Sequence, residues 1–241
     1  MYDAVSAICG VTQTELDTVL KEDVELLADK LKLSYEETRA GLKENYDGYR
    51  FSANGEYTYK PFSLLNCFNT EKLDYFWFES ATPTFLLKAM KRFYFRIKDT
   101  ENLYCEAEKF DVSATDLDSA LPLLYQSGYL TIKDYEPRFK KYKLDLPNNE
   151  VRFGLLKALY PSVFPFGGDK TEFWIPNFVE DIEAGNVDEF MTRLKSLIAS
   201  MPYATGKNAE LVNEQNIQNG FFLVFNLMGQ FTRSEVHSLK G

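Results

Sequence analysis

From Thr12 to Gly48 the apolar positions recur at the three- and four-residue spacing of a helix. Leu16, Val19, Leu20, Val24, Leu27 and Leu31 form a stripe that one helix face can bury. Thr12-x-x-Glu15 precedes this series and Ser34-x-x-Glu37 precedes the next. In each motif the hydroxyl can take the backbone N–H three residues on while the carboxylate reaches back, so both mark helix starts. The pattern predicts an opening helical hairpin. Its second helix should stop near Asn45, because Asp47-Gly48 is a turn pair whose glycine tolerates positive φ.

The period then changes. Tyr49 to Ala53 is expected to pair with Glu56 to Tyr59 across Asn54-Gly55, a dipeptide that suits a type I′ turn, with Pro61 ending the second strand. The tetrad Tyr46-Asp47-Gly48-Tyr49 therefore lies where a helix hands over to a hairpin. It reads either as a structural corner shielded by tyrosines or as a binding surface built from Asp47, Tyr49 and Arg50. Further on, Thr82 as N-cap and Pro83 at the first helical position open a helix carrying Phe85, Leu86, Leu87 and Met90. Glu79 beside it is a lone carboxylate suited to backbone donors. Ser113-x-x-Asp116 caps a helix with Leu117, Leu121, Leu124 and Tyr125; "SGYLTIKDYEPRFKKYKLDLPN" alternates as two strands around Glu136-Pro137; Val151 to Leu159 is helical again. Helix, hairpin, helix is the order of a winged-helix subdomain.

"YPSVFPFGGDKTEFWIP", with three prolines and a Gly-Gly pair, reads as a linker. After it come a helical pattern from Pro176 to about Met201, a polar loop, a helix from Asn213 to about Gly229, and a strand-like tail from Phe231 to His237. The expected fold is mainly α with small β-hairpins (α+β), in two parts: residues 1–165, helical and winged-helix, and residues 166–241.

Composition narrows the function. The chain has 241 residues, 45% hydrophobic, enough to bury a sizeable core. No apolar run is long enough to span a bilayer and residues 1–20 lack a secretory signal, so the expectation is a cytoplasmic protein without a membrane role. The formal charge of −9 repels phosphate backbones, so nucleic-acid binding would need a local basic patch. "RFKKYK", with Lys140 and Lys141, is the candidate, set against a solvated hairpin. Cys9, Cys67 and Cys105 are odd in number and far apart, as free thiols are, and the single histidine, His237, argues against His-based triads and metal centres.

Five segments in order, "AICGVTQTEL", "YDGYRF", "YKPFSLLNCF", "YFWFESATPTFLLK" and "LLYQSGYLTIKDY", resemble the AAA-ATPase-like family common in gut Bacteroidetes, over residues 7–135. At Ala81 many relatives carry Gly, a departure that slightly tightens the turn before the helix. Members of that family usually continue into a PD-(D/E)XK nuclease domain, and "NEQNIQNGFFLVFNLMGQFTRSEVHSLKG" resembles its opening helix and strand.

The resemblance implies a C-terminal helical lid and winged-helix region joined to a truncated nuclease start. The family's phosphate loop, G-x-x-x-x-G-K-[ST], is not in this sequence, and "GGDKT" at Gly167 to Thr171 has the wrong spacing. The nuclease's Glu-x-Lys is also missing; only Glu214 matches a carboxylate often found on the first nuclease helix, with a cap at the start of its own helix as the simpler account. No catalytic or metal residue is therefore expected. ATP and Mg²⁺ belong to full-length relatives and no cofactor to this chain. The expected role is docking or regulation between an ATPase core and a nuclease domain or partner, the missing core or a second copy being the candidate partners. The alternatives are a fragment of an ATP-dependent nuclease acting on DNA, a stand-alone winged-helix protein that binds nucleic acid weakly at best, and a regulator that sequesters full-length relatives.

Overall fold

The computed structural model describes residues 6–77, 84–92, 103–111, 119–163, 174–201 and 209–236. The chain is mainly α with two small antiparallel sheets, and it divides into two compact units, Met1–Leu155 and Leu156–Gly241.

In the first unit both capping boxes form. Thr12 Oγ1 accepts from Glu15 N–H (3.2 Å) and Glu15 accepts from Thr12 N–H (2.8 Å), starting α1 (Gln13–Thr18). Ser34 and Glu37 do the same at the head of α3 (Tyr35–Tyr46). The apolar series between them is not one helix. Leu20 leaves helical geometry (φ −102°, ψ 14°) and the chain restarts as α2 (Lys21–Leu31). The bend places Leu16 and Val24 in one core, both fully buried, and turns Val19 out to 74% exposure. α2 packs on α3, and Arg39 ties α3 to α1 by a two-pronged ion pair with Asp17 (2.7 and 2.8 Å).

The predicted Tyr49–Tyr59 hairpin is corrected. Tyr49 and Thr58 share one isolated bridge, while β2 (Thr58–Tyr59) pairs with β1 (Val11–Thr12) near the chain start. Neither Asn54 nor Gly55 adopts the positive φ that a type I′ turn needs. Tyr49 exchanges both backbone bonds with Thr58 (3.2 and 2.8 Å), and the ladder goes no further. Arg50, next along, turns its backbone to the opposite side, where its N–H donates to Thr131 Oγ1 (2.8 Å) and its carbonyl accepts from the Thr131 hydroxyl (3.0 Å). Pro61 then serves as the first residue of α4 (Pro61–Thr70), which carries Leu64 and Cys67 into the core with Tyr46 and Tyr59.

α5 (Thr84–Arg92) buries Leu86 and Met90; the expected cap at Thr82 and Pro83, with Glu79 and Ala81, lies outside the described residues. The Ser113–Asp116 cap and Leu117 lie outside them too. α6 (Leu121–Gln126), β4 (Thr131–Glu136), β5 (Lys141–Asp145) and α7 (Asn149–Val163) follow in the expected helix, hairpin, helix order. The sheet has a further strand, β3 (Leu103–Cys105), so its order is β3-β5-β4 with β5 central.

The second unit contains α8 (Trp174–Glu183), α9 (Val187–Ala199) and α10 (Ala209–Val236). The helical pattern expected from Pro176 to about Met201 forms as two helices that meet at Gly185, which sits at φ +71°. That fold-back lets Arg193 of α9 reach Asp181 of α8 (2.6 Å). α10 packs on α8 and buries Leu223, Val224, Leu227 and Met228. The strand-like tail is corrected as well, since residues 231–236 continue α10. Gly229 alone costs a helix about 1 kcal/mol and no proline follows it, so nothing local stops the ladder of hydrogen bonds. The expected linker centre, residues 164–173, and His237 lie outside the described residues.

Candidate functional site

The tetrad Tyr46–Tyr49 organises the most heavily charged buried region among the described residues of the first unit. α3 ends on Tyr46, whose hydroxyl donates to the Asp74 carbonyl (2.6 Å) and accepts from Asp74 N–H (3.1 Å). Asp47 follows in extended geometry and Gly48 at φ +100° turns the chain. A Cβ at Gly48 would overlap the Pro147 carbonyl oxygen and press on Lys133 Nζ. Gly48→Ala therefore adds left-handed strain to a backbone collision and is expected to destabilise the protein by about 2–4 kcal/mol. Urea unfolding measures it; a loss under about 1 kcal/mol would mean the corner is looser than its geometry.

Lys133 holds this corner to the wing. Its ammonium donates to the carbonyls of Gly48 (3.1 Å) and Pro147 (2.9 Å). A β-bulge makes that possible. On β4, Ile132 pairs with Leu144 and Tyr135 with Tyr142, so two inward residues three apart face two that are two apart, and Lys133 lies within the register shift. From the other side, Asn148 Nδ2 donates to the Asp47 carbonyl (2.9 Å) while its Oδ1 accepts from Val151 N–H (3.1 Å), which caps α7. Arg50 Nε donates to the Ile132 carbonyl (3.2 Å), and its guanidinium lies 5.0 Å from the centre of the Tyr57 ring.

A second buried carboxylate lies close by. Glu150, fully buried, accepts from Ser63 Oγ (2.6 Å), Phe76 N–H (2.8 Å) and Trp77 N–H (3.0 Å), joining α4, the loop after it and α7. Lys60, just ahead of α4, lays its ammonium over the Trp77 ring at 3.1 Å from the centroid and 5.7 Å from that of Tyr49.

Burial controls the charges here. It pushes the carboxyls of Asp47 and Glu150 up from the usual range, Lys60 down to about 7 and Lys133 down to about 8. Glu150 opposes the drop at Lys60; Asp145 and Asp47 oppose it at Lys133, while Arg50 and Arg152 add to it. The Trp77 and Tyr49 faces also favour the Lys60 ammonium. Because the folded pKa of Lys60 lies below its unfolded value of 10.5, the unfolded chain holds more protons between about pH 7 and pH 10.5. Stability is thus expected to rise with pH across that window and to rise less in Lys60→Met, as thermal melts at several pH values would show. Parallel curves for the two proteins would contradict it.

The corner therefore brings together Asp47, Tyr49 and Arg50, but as interior groups: Asp47 and Tyr49 are each 6% exposed, and Asp47 Oδ1, Tyr49 OH and Arg50 Nη2 have no hydrogen-bond partner. Lys140 and Lys141 lie elsewhere, at the β4–β5 turn, both exposed. Glu214 is exposed and accepts from Gln218 Nε2 (3.1 Å); it sits five residues inside α10, so it is not the cap expected of it. Sequence reading passed over Lys60, Lys133, Asn148 and Glu150. The one available signal is the three-residue spacing of Ile132 and Tyr135, which announces a bulge in an otherwise alternating strand. Among the described residues no three His, Cys, Asp or Glu side chains come together as a metal-holding group, and no helix is long and apolar enough to cross a membrane.

No family model and no solved structure matches the chain. It is similar to an uncharacterized protein in the vnfD 5′ region of Azotobacter chroococcum mcd 1, at 33% identity over 171 residues, 66% of this chain and 29% of that protein. The chain thus spans less than a third of the length of the curated relative it matches.

Proposed function

We propose that this chain is a non-catalytic docking and regulatory portion of an AAA-ATPase-like protein, coupling an ATPase core outside it to a nuclease domain or another protein partner. The motif order resembling that family supports the assignment. In this reading nucleotide and Mg²⁺ belong to the core, and the protein works where that core works, in the cytoplasm. The buried lock around Gly48, Lys133 and Glu150 makes the corner, the wing hairpin and α7 one mechanical piece, as a coupling element requires.

The observation that favours protein docking over DNA is the arrangement of charge on the hairpin. Lys141 is the register partner of Glu136 and Lys143 that of Asp134, so two of the four cations of the basic run have a carboxylate-bearing residue directly across the sheet. A phosphate backbone approaching those cations would also approach those acids, on a chain of net charge −9. Binding to a short duplex at physiological salt is expected near background in the parent and unchanged or lower in Lys140→Glu/Lys141→Glu. Tight binding abolished by the double change would replace this reading with the nucleic-acid one. For docking itself, the chain is mixed with the phosphate-loop-bearing portion of a full-length AAA-ATPase-like relative. Co-elution and altered ATP turnover are expected, with no turnover by the chain alone. No association at micromolar concentration would remove the proposal.

A further inference from the structure

Beyond the strands of the sheet, the hairpin ends in an exposed aromatic ring flanked by cations. Phe139 is 60% exposed at the turn between β4 and β5, and the Arg138 guanidinium lies 5.2 Å from its ring centroid. Lys140 follows at φ +52°, a left-handed conformation that glycine adopts freely and that costs other residues about 1–2 kcal/mol. The chain accepts this strain and keeps a long cation there. Glu136, the acid of the hairpin next to the tip, accepts from Arg138 N–H (3.0 Å) and is the register partner of Lys141. Arg138, Phe139 and Lys140 thus form a positive, aromatic projection on a protein of net charge −9.

We infer that the wing tip Arg138-Phe139-Lys140 is the anchor by which this chain docks, inserting Phe139 into an apolar pocket with an acidic rim on a protein partner. The inference rests on the docking reading above and names the contact and the chemistry of the other side. An aromatic ring flanked by Arg is the composition of interface residues that carry most of the binding energy. A hairpin braced by a third strand presents it already ordered, which lowers the entropic cost of association. On a protein of net charge −9 this cationic tip is a local attraction for an acidic rim, so charge directs the encounter to it.

Fluorescence anisotropy at physiological salt tests this with three labelled probes: an amphipathic helical peptide with Leu and Trp on one face and Glu on the other, the same peptide with Lys for Glu, and a short duplex DNA. The Glu peptide is expected to bind and the Lys peptide not. Phe139→Ala and Lys140→Glu should each weaken the Glu peptide about tenfold or more. Phe139→Trp should retain binding, and Lys195→Glu, the same charge change at an exposed site on α9, should leave it alone. Equal binding of both peptides, or duplex binding tighter than the Glu peptide, overturns the inference. So does failure of Phe139→Ala and Lys140→Glu to weaken both the Glu peptide and the complex with the ATPase-like portion; that result leaves the docking reading standing on another surface. Absence of that complex altogether removes the docking reading itself.

Discussion

Ending the chain after Pro202 is expected to unfold what remains of the second unit. α10 supplies Leu223, Val224, Leu227 and Met228, each no more than 4% exposed, to a core shared with Ile175, Phe178 and Val179 of α8. Removing four buried apolar side chains forfeits about 1.5–3 kcal/mol each, about 6–12 kcal/mol together, which matches the whole stability of an ordinary domain. The Arg193–Asp181 pair cannot hold α8 and α9 alone, because part-exposed ion pairs contribute about 1 kcal/mol or less. Hydrogen exchange should find the amides of α8 and α9 unprotected in the shortened chain, with α2 and α3 reporting separately on the first unit. Protection of α8 and α9 that matches the full chain would show that α10 is not their core. Light scattering of the full chain is the companion measurement: a dimer would mean that the outer face of α10, where Phe225 is 49% exposed, is covered by a second copy.

Glu150→Ala is expected to be the most damaging single substitution in the first unit. Its carboxylate is the acceptor for the Ser63 hydroxyl and for the backbone N–H groups of Phe76 and Trp77. Alanine would leave three donors without their acceptor, at about 1–3 kcal/mol each, so a loss of about 3–9 kcal/mol should appear in urea unfolding. Glu150→Gln keeps an acceptor oxygen and should cost far less. The pH dependence separates charge from hydrogen bonding. Burial raises the folded pKa of Glu150 above its usual 4.5, so its contribution is complete below 4.5 and is lost as pH rises through the folded value. The glutamine variant should therefore gain on the parent as pH rises from about 4 to neutral. A constant difference over that range would show that Glu150 is ionised at no penalty, and a loss under 1 kcal/mol for the alanine variant would show that its three bonds are replaceable.

The helix starts were legible because their signals are local. Thr12-x-x-Glu15 and Ser34-x-x-Glu37 complete their hydrogen bonds within four residues, so no other part of the chain can change the outcome. The β4–β5 hairpin and the stop of α3 at the Asp-Gly pair were legible for the same reason. Misreadings fell where local preference meets a distant competitor. Asn54-Gly55 favours a tight hairpin, yet β2 takes its strand pairing from β1, more than forty residues earlier, and keeps a single bridge to Tyr49. The tail after Gly229 alternates like a strand, but residues 231–236 make their backbone bonds locally as a continuation of α10.

The amino-acid order by itself determined the two capping boxes, the β4–β5 hairpin and the acidic character of the protein, since capping, turn preference and net charge are properties of short stretches or simple sums. Only the tertiary structure decided that Asp47 and Tyr49 are interior groups, that Lys133 closes on Gly48 and Pro147, and that Glu150 collects donors from α4 and its following loop. A carboxylate or an ammonium looks the same in sequence whether it faces water or carbonyls. Its pKa, its energetic cost and its use depend on the solvent that distant segments exclude and on the partners they bring within 3 Å, and both are fixed only when the chain has packed.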